Sequence, residues 1–222
     1  MLISHKKKFV AIAIQKTGSR SIRNALLSFA DIFPIPANKS SPYYHHTTAQ
    51  KLKEEFEKQG WNWEDYFKFA FVRNPWDVLV SHYFYNKLMA HQWQNKEGKF
   101  KDPETDEEKK MLDAQGEKCT KFITRHPTSK EALKHLAKII KPQYDYLFDT
   151  NGNQLVDFIG RFENLQNDFD IICDKLNIQK TKLLYANKSN HKNYTEYYDE
   201  ETKKLVEEKF GKDIKKFGYK FN

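Results

Sequence analysis

The apolar run Phe9-Val-Ala-Ile-Ala-Ile14 passes almost directly into Lys16-Thr-Gly-Ser-Arg-Ser21, and that junction constrains the chain more than any other stretch. An unbroken apolar run bounded by polar residues suits a strand buried on both faces, as in a parallel sheet. Ile22-Arg-Asn-Ala-Leu-Leu-Ser-Phe29 follows with apolar residues at helical spacing, so the segment reads strand, tight turn, helix. The same grammar returns at Phe67-Lys-Phe-Ala-Phe-Val72, then Arg73-Asn74-Pro75, then a helix with Leu79, Val80, Tyr83 and Phe84 on one stripe. Pro75 suits the first turn of a helix, where its missing N–H costs nothing. Two such units predict an α/β fold with a central, mostly parallel sheet flanked by helices. Ligands of such sheets gather at the carboxyl ends of the strands, where both polar turns fall.

Elsewhere the pattern is mainly helical. A charged amphipathic helix is predicted over Ala49 to Gln59, led by His45-His46-Thr47-Thr48, and others over Ser129 to Ile140 and Leu165 to Leu176. Asp199 is placed to cap a further helix from Glu200 to Phe210. Tyr146-Leu-Phe148 and Leu155-Val-Asp-Phe-Ile159 flank Asn151-Gly152, which predicts a hairpin. The polar stretch 91–126 reads as an excursion from the sheet. His82 and His91 are expected on helix surfaces. With no internal repeat and no Gly/Ser linker, residues 1–222 are expected to form a single domain.

Composition narrows the function. The longest clean apolar run is six residues, against the roughly 20 of a membrane span, and although Lys6, Lys7 and Lys8 imitate a signal-peptide start, Gln15 and Lys16 end the run too soon. Cys119 and Cys173 are far apart, without a disulfide or zinc-ligand rhythm, so a reducing compartment, the cytoplasm, is expected. The net charge of +8 is unevenly spread: residues 1–50 carry seven basic side chains against the single acid Asp31, and residues 181–222 carry ten against seven. A basic skew of this kind favours an anionic ligand.

The first turn supplies main-chain N–H groups, three hydroxyls and two cations at a helix start, where unpaired N–H groups and the helix dipole attract anions. It is not a Walker A loop, because Lys16 precedes the only glycine, Gly18. The second turn adds the guanidinium of Arg73, suited to bidentate phosphate recognition, and the hydroxyl of Ser81 two helical turns further on. Two cradles suggest one ligand with two separated anionic groups.

Gln15-Lys-Thr-Gly-Ser-Arg-Ser-Ile22 resembles the 5′-phosphosulfate loop of sulfotransferases that use 3′-phosphoadenosine 5′-phosphosulfate (PAPS), and Phe71-Val-Arg-Asn-Pro-Trp-Asp-Val-Leu-Val-Ser-His-Tyr83 resembles their 3′-phosphate strand and helix. Val156-Asp-Phe-Ile-Gly-Arg-Phe-Glu-Asn-Leu165, Tyr194-Thr-Glu-Tyr-Tyr198 and Phe217-Gly-Tyr-Lys-Phe221 follow in the order of the carbohydrate-type sulfotransferase family 2. The resemblance covers nearly all of the chain except about 91–126, where the acceptor wall is expected. Gln15 stands where the family has proline, and Arg20 where it often has a hydroxyl residue.

That resemblance implies a P-loop-like three-layer fold, PAPS as donor, a carbohydrate hydroxyl as acceptor and no metal requirement; no nucleic-acid partner and no membrane span are expected. Donor-binding roles fall to Lys16, Thr17, Gly18, Ser19, Arg20, Ser21, Arg73 and Ser81, and to Lys188 and Ser189 in the late loop Ala186 to His191 that folds over the nucleotide. Lys16, His46 and Ser81 are the catalytic expectations. His46 aligns best with the family's base, with His45 its rival; a histidine near its ordinary pKa of about 6.5 is suited to taking the acceptor's proton. A P-loop-type phosphotransferase and a non-enzymatic module that binds a polyanion share parts of this pattern and remain alternatives.

Overall fold

The computed structural model describes residues 1–35, 40–95, 106–184 and 191–222. Among these the helices are α1 (Ser19–Leu26), α2 (Ala49–Lys58), α3 (Pro75–Asn95), α4 (Asp106–Arg125), α5 (Ser129–Ile139), α6 (Tyr144–Leu147), α7 (Leu165–Leu176), α8 (Glu200–Lys209) and α9 (Gly211–Phe217). Contacts divide the chain into two units, Met1–Arg73 with Lys141–Lys188, and Asn74–Ile140 with Ser189–Asn222.

The first unit holds the sheet, with β1 (Leu2–Ser4), β2 (Phe9–Ile12), β3 (Phe67–Val72) and β4 (Phe158–Arg161) side by side in that order. β1 is antiparallel to β2, whereas β2, β3 and β4 run parallel, so the α/β architecture is the one expected. All four residues of β2 are buried, as a strand covered on both faces requires. Phe9 and Ala11 of β2 and Phe69 and Phe71 of β3 alternate onto one face, where they share a core with Ile22 and Leu26 of α1 and Phe169, Ile172 and Cys173 of α7. The intervening Val10, Ile12, Ala70 and Val72 are buried too.

One element of this unit was not foreseen and one expectation is corrected. Lys6 to Lys8 form the turn of a β1–β2 hairpin, in which the Asp31 carboxylate accepts from the main-chain N–H groups of His5 and Lys6. The Asn151-Gly152 signal closes a side-chain-capped turn rather than a two-stranded hairpin. Tyr144–Leu147 is one helical turn, Phe148 makes a single antiparallel bridge with Gln154, and the Asp149 carboxylate accepts from the N–H groups of Asn151 and Asn153. The strand that follows takes the open edge of β3 in parallel.

The second unit is helical among its described residues. α3 reaches Asn95 and α4 occupies 106–125, so the expected excursion is largely a pair of helices. They meet closely: Met89 and Ala90 share a core with Cys119, and a Cβ on Gly116 would come within 2.4 Å of the Trp93 ring. Thr128 with Glu131 forms a capping box on α5, and Asp199 with Thr202 forms one on α8, as the sequence predicted for Asp199. Ion pairs from Lys130 to Asp199 and from Lys134 to Glu201 join these helices. His82, expected at the surface, is 8 % exposed, because its side of α3 faces the packed interior. Among the described residues no helix is long and apolar enough to cross a membrane.

Candidate active site

The turn from β2 into α1 is shaped by two left-handed residues, Lys16 (φ 63°) and Gly18 (φ 79°). Such residues curl the main chain into the concavities that bind anions. Gly18 cannot be replaced without cost, since a Cβ there would lie 2.9 Å from Cδ2 of Leu165 in addition to the left-handed φ. Lys16 adopts this backbone with a side chain attached, a strain of about 1–3 kcal/mol that surrounding contacts must offset.

Carbonyl groups in an anion cradle repel the ligand unless they are turned to donors. Here three of them are. His46 Nδ1 bonds the carbonyl of Ala13 at 2.8 Å, Thr17 Oγ1 donates to the carbonyl of Ile14 at 3.0 Å, and an Arg73 guanidinium N–H donates to the carbonyl of Lys16 at 3.1 Å. Thr17, 1 % exposed, therefore uses its hydroxyl proton inside the loop.

α1 begins on Gly18, which offers no side-chain cap, and its first turn contains Arg20 and no acid. Arg20 is exposed, Ser21 is buried, and among the described residues the hydroxyls of Ser19 and Ser21 have no hydrogen-bond partner. A cavity lined in part by Ala13, Thr17, Ser19, Ile22 and Arg23 opens beside this turn.

His46 is oriented by the main chain just past β2. A carbonyl can only accept, so the proton of the neutral ring sits on Nδ1 and the lone pair on Nε2. Burial holds its pKa below the ordinary histidine value, with help from the chain's amino group and Arg23 and against the pull of the Ala13 carbonyl. His45 is pushed down further, to about 4, by burial first and then by the amino group, His46, Arg23 and Arg20. Both rings are therefore neutral at pH 7, and His46 is the one with a defined hydrogen-bond anchor.

Arg73, 6 % exposed, lies at the end of β3 with its guanidinium 4.0 Å from the centre of the Phe162 ring. The structure thus brings Lys16, Thr17, Gly18, Ser19, Arg20, Ser21, His46 and Arg73 into the first unit. Ser81 is 3 % exposed on α3 in the second unit. Lys188 and Ser189 lie outside the described residues. The tyrosines of the Tyr194–Tyr198 motif serve packing within the second unit: Tyr198 donates to the Trp76 carbonyl, and Asn74 Nδ2 donates to the Tyr194 hydroxyl, both beside Phe221.

Two contributors were missed by sequence reasoning. Phe162 stacks on Arg73 and backs Gly18; it stands inside the quoted motif from Val156 to Leu165, which was the available signal. Gln143, 2 % exposed and paired with the main chain of Arg73, had no signal beyond its place after Pro142.

A parallel sheet whose first parallel strand empties into a cationic, left-handed turn at a helix start defines a P-loop-like α/β protein. The family model described as the Sulfotransferase family matches residues 1–220, and the chain belongs to that family, the family 2 indicated by its motifs. It is thereby a transferase that moves sulfuryl groups. No curated protein and no solved structure gives a significant match to the chain.

Proposed function

We propose that the chain transfers a sulfuryl group from PAPS to a hydroxyl of a carbohydrate acceptor. What carries this is the start of α1, where Lys16 and Arg20 flank a glycine cap with no acid in the first turn. A cation near a helix N-terminus is unfavourable by about 0.3–1 kcal/mol, and a left-handed lysine adds strain, so the apo turn is locally frustrated. A bound 5′-phosphosulfate converts both features into favourable contacts.

The donor contributes a reactive bond between sulfur and the 5′-phosphate oxygen. As the acceptor oxygen bonds to sulfur, that bond breaks and the acceptor proton passes to Nε2 of His46, which Nδ1 keeps turned by its hold on Ala13. Lys16 and the N–H groups of the α1 start stabilise the charge that gathers on the departing phosphate, an effect worth roughly 3–4 kcal/mol per donor in comparable sites. Arg73, Ser81, Lys188 and Ser189 keep the nucleotide-binding roles that the family motifs imply.

Thermal unfolding with nucleotides tests the assignment. Adenosine 3′,5′-bisphosphate at 100 times its Kd adds about 2.7 kcal/mol of stability, and ATP far less. Equal shifts with both, or a dependence on Mg²⁺, would move the chain to the phosphotransferases.

A further inference from the structure

Arg73 is the last residue of the first unit before the chain leaves it, and Gln143 lies just after the chain returns. Their sequence separation is 70 residues, yet they are paired twice. The N–H of Arg73 donates to Gln143 Oε1 at 2.8 Å, and Gln143 Nε2 donates to the carbonyl of Arg73 at 2.7 Å. β3 ends at Val72, so the main chain of Arg73 lies beyond the sheet ladder. The primary amide of Gln143 offers it the same donor and acceptor that one more strand residue would.

The contacts continue from there. Arg73 extends its guanidinium over Phe162 to the carbonyl of Lys16, the left-handed residue that shapes the anion turn. A flexible side chain can hold that carbonyl only if its own Cα is fixed. We propose that Gln143 is a positioning residue of the nucleotide site: by clamping the main chain of Arg73 it sets where the guanidinium meets Lys16, and through Lys16 it sets the cradle. This rests on the nucleotide-binding role proposed above. Gln143 acts through two intervening residues. Only a side-chain amide of this length fits the clamp: leucine lacks both groups, glutamate lacks the donor, and asparagine is one methylene short.

A double-mutant cycle on bisphosphate affinity, read by calorimetric titration, tests it. Gln143→Leu removes both hydrogen bonds that Gln143 makes to the main chain of Arg73 and weakens adenosine 3′,5′-bisphosphate about 10-fold or more. In an Arg73→Ala background the same change adds less than about 2-fold, because the guanidinium it positions is gone. Equal losses in both backgrounds would make Gln143 a general structural residue, and no loss in either would remove it from the site. If Gln143→Leu fails to fold, Gln143→Glu, which keeps the acceptor, takes its place in the cycle. Amide hydrogen exchange at Arg73 separates this proposal from the nucleotide assignment. Exchange at that one amide quickens in the variant whether or not the wild type binds the bisphosphate; unchanged exchange would overturn the clamp, and absent wild-type binding would overturn the nucleotide assignment.

Discussion

α1 in the sheet unit and α8 in the helical unit are of similar length and begin in opposite ways. α8 starts on Asp199, whose carboxylate accepts from Thr202 N–H, and carries Glu200 and Glu201 in its first turn. Its exposed N–H groups and dipole are satisfied from within. α1 starts on a left-handed glycine, has no acid and carries Arg20 in that turn. The helical unit applies standard capping to α5 as well, through Thr128 and Glu131. The contrast indicates where the molecule accepts local instability, and under the proposed function that helix start is the place an anion would complete.

The largest expected effect lies on the chemistry of the sheet unit. His46→Ala lowers sulfuryl transfer by about 10²–10⁴-fold while bisphosphate affinity stays nearly intact, measured with PAPS and a panel of sugar acceptors. Because burial lowers the pKa of His46, the imidazole is still neutral somewhat below pH 6.5. The acid limb of kcat/KM therefore falls below that of an ordinary histidine, and the rate declines as pH drops through the lowered value and Nε2 takes up a proton. An acid limb centred at or above 6.5 would assign the proton transfer to another group.

Making α1 resemble α8 sharpens the comparison. Ser19→Glu places an acid in the first turn beside Arg20 and raises the stability of the ligand-free protein by about 0.3–1 kcal/mol. The same carboxylate competes with the 5′-phosphate, so bisphosphate affinity falls by about 10-fold or more in titration. A loss of stability without loss of affinity would break the link between frustration and binding.

The helical unit should answer in stability alone. Gly116→Ala drives a Cβ into the Trp93 ring and costs about 1–3 kcal/mol by thermal unfolding, with bisphosphate affinity unchanged when corrected for the folded fraction. Thr128→Ala removes half of the α5 capping box and costs about 1 kcal/mol, the smallest of these effects, again without a change in affinity.

Legibility from sequence followed the range of the interactions. Thr48, which caps α2 through Lys51 N–H, and Asp199 act on neighbours three residues away, and both helices stand where the pattern put them. β3, Phe67–Val72, matched its apolar run to the residue. β1 was missed because three residues show no period and its partner is across a turn that looked like a signal-peptide start. α4 was missed because its surface is polar and its support is Trp93 and Met89 on another helix.

The same division runs through the candidate site. Lys16 to Ser21 announced a tight turn into a helix by themselves, because strand, small polar turn and helix are adjacent in the chain. Apolar periodicity likewise determined an α/β class on its own. Tertiary structure alone decided that Thr17 turns its hydroxyl inward to Ile14, that Ala13 fixes the tautomer of His46, and that Gln143 and Phe162 hold Arg73 against Lys16. The Thr17 bond spans three residues, but the other contacts span from 33 to about 90, and nothing local selects among such distant partners. They form because a buried polar group must find a counterpart, and these counterparts come together only once the sheet has assembled.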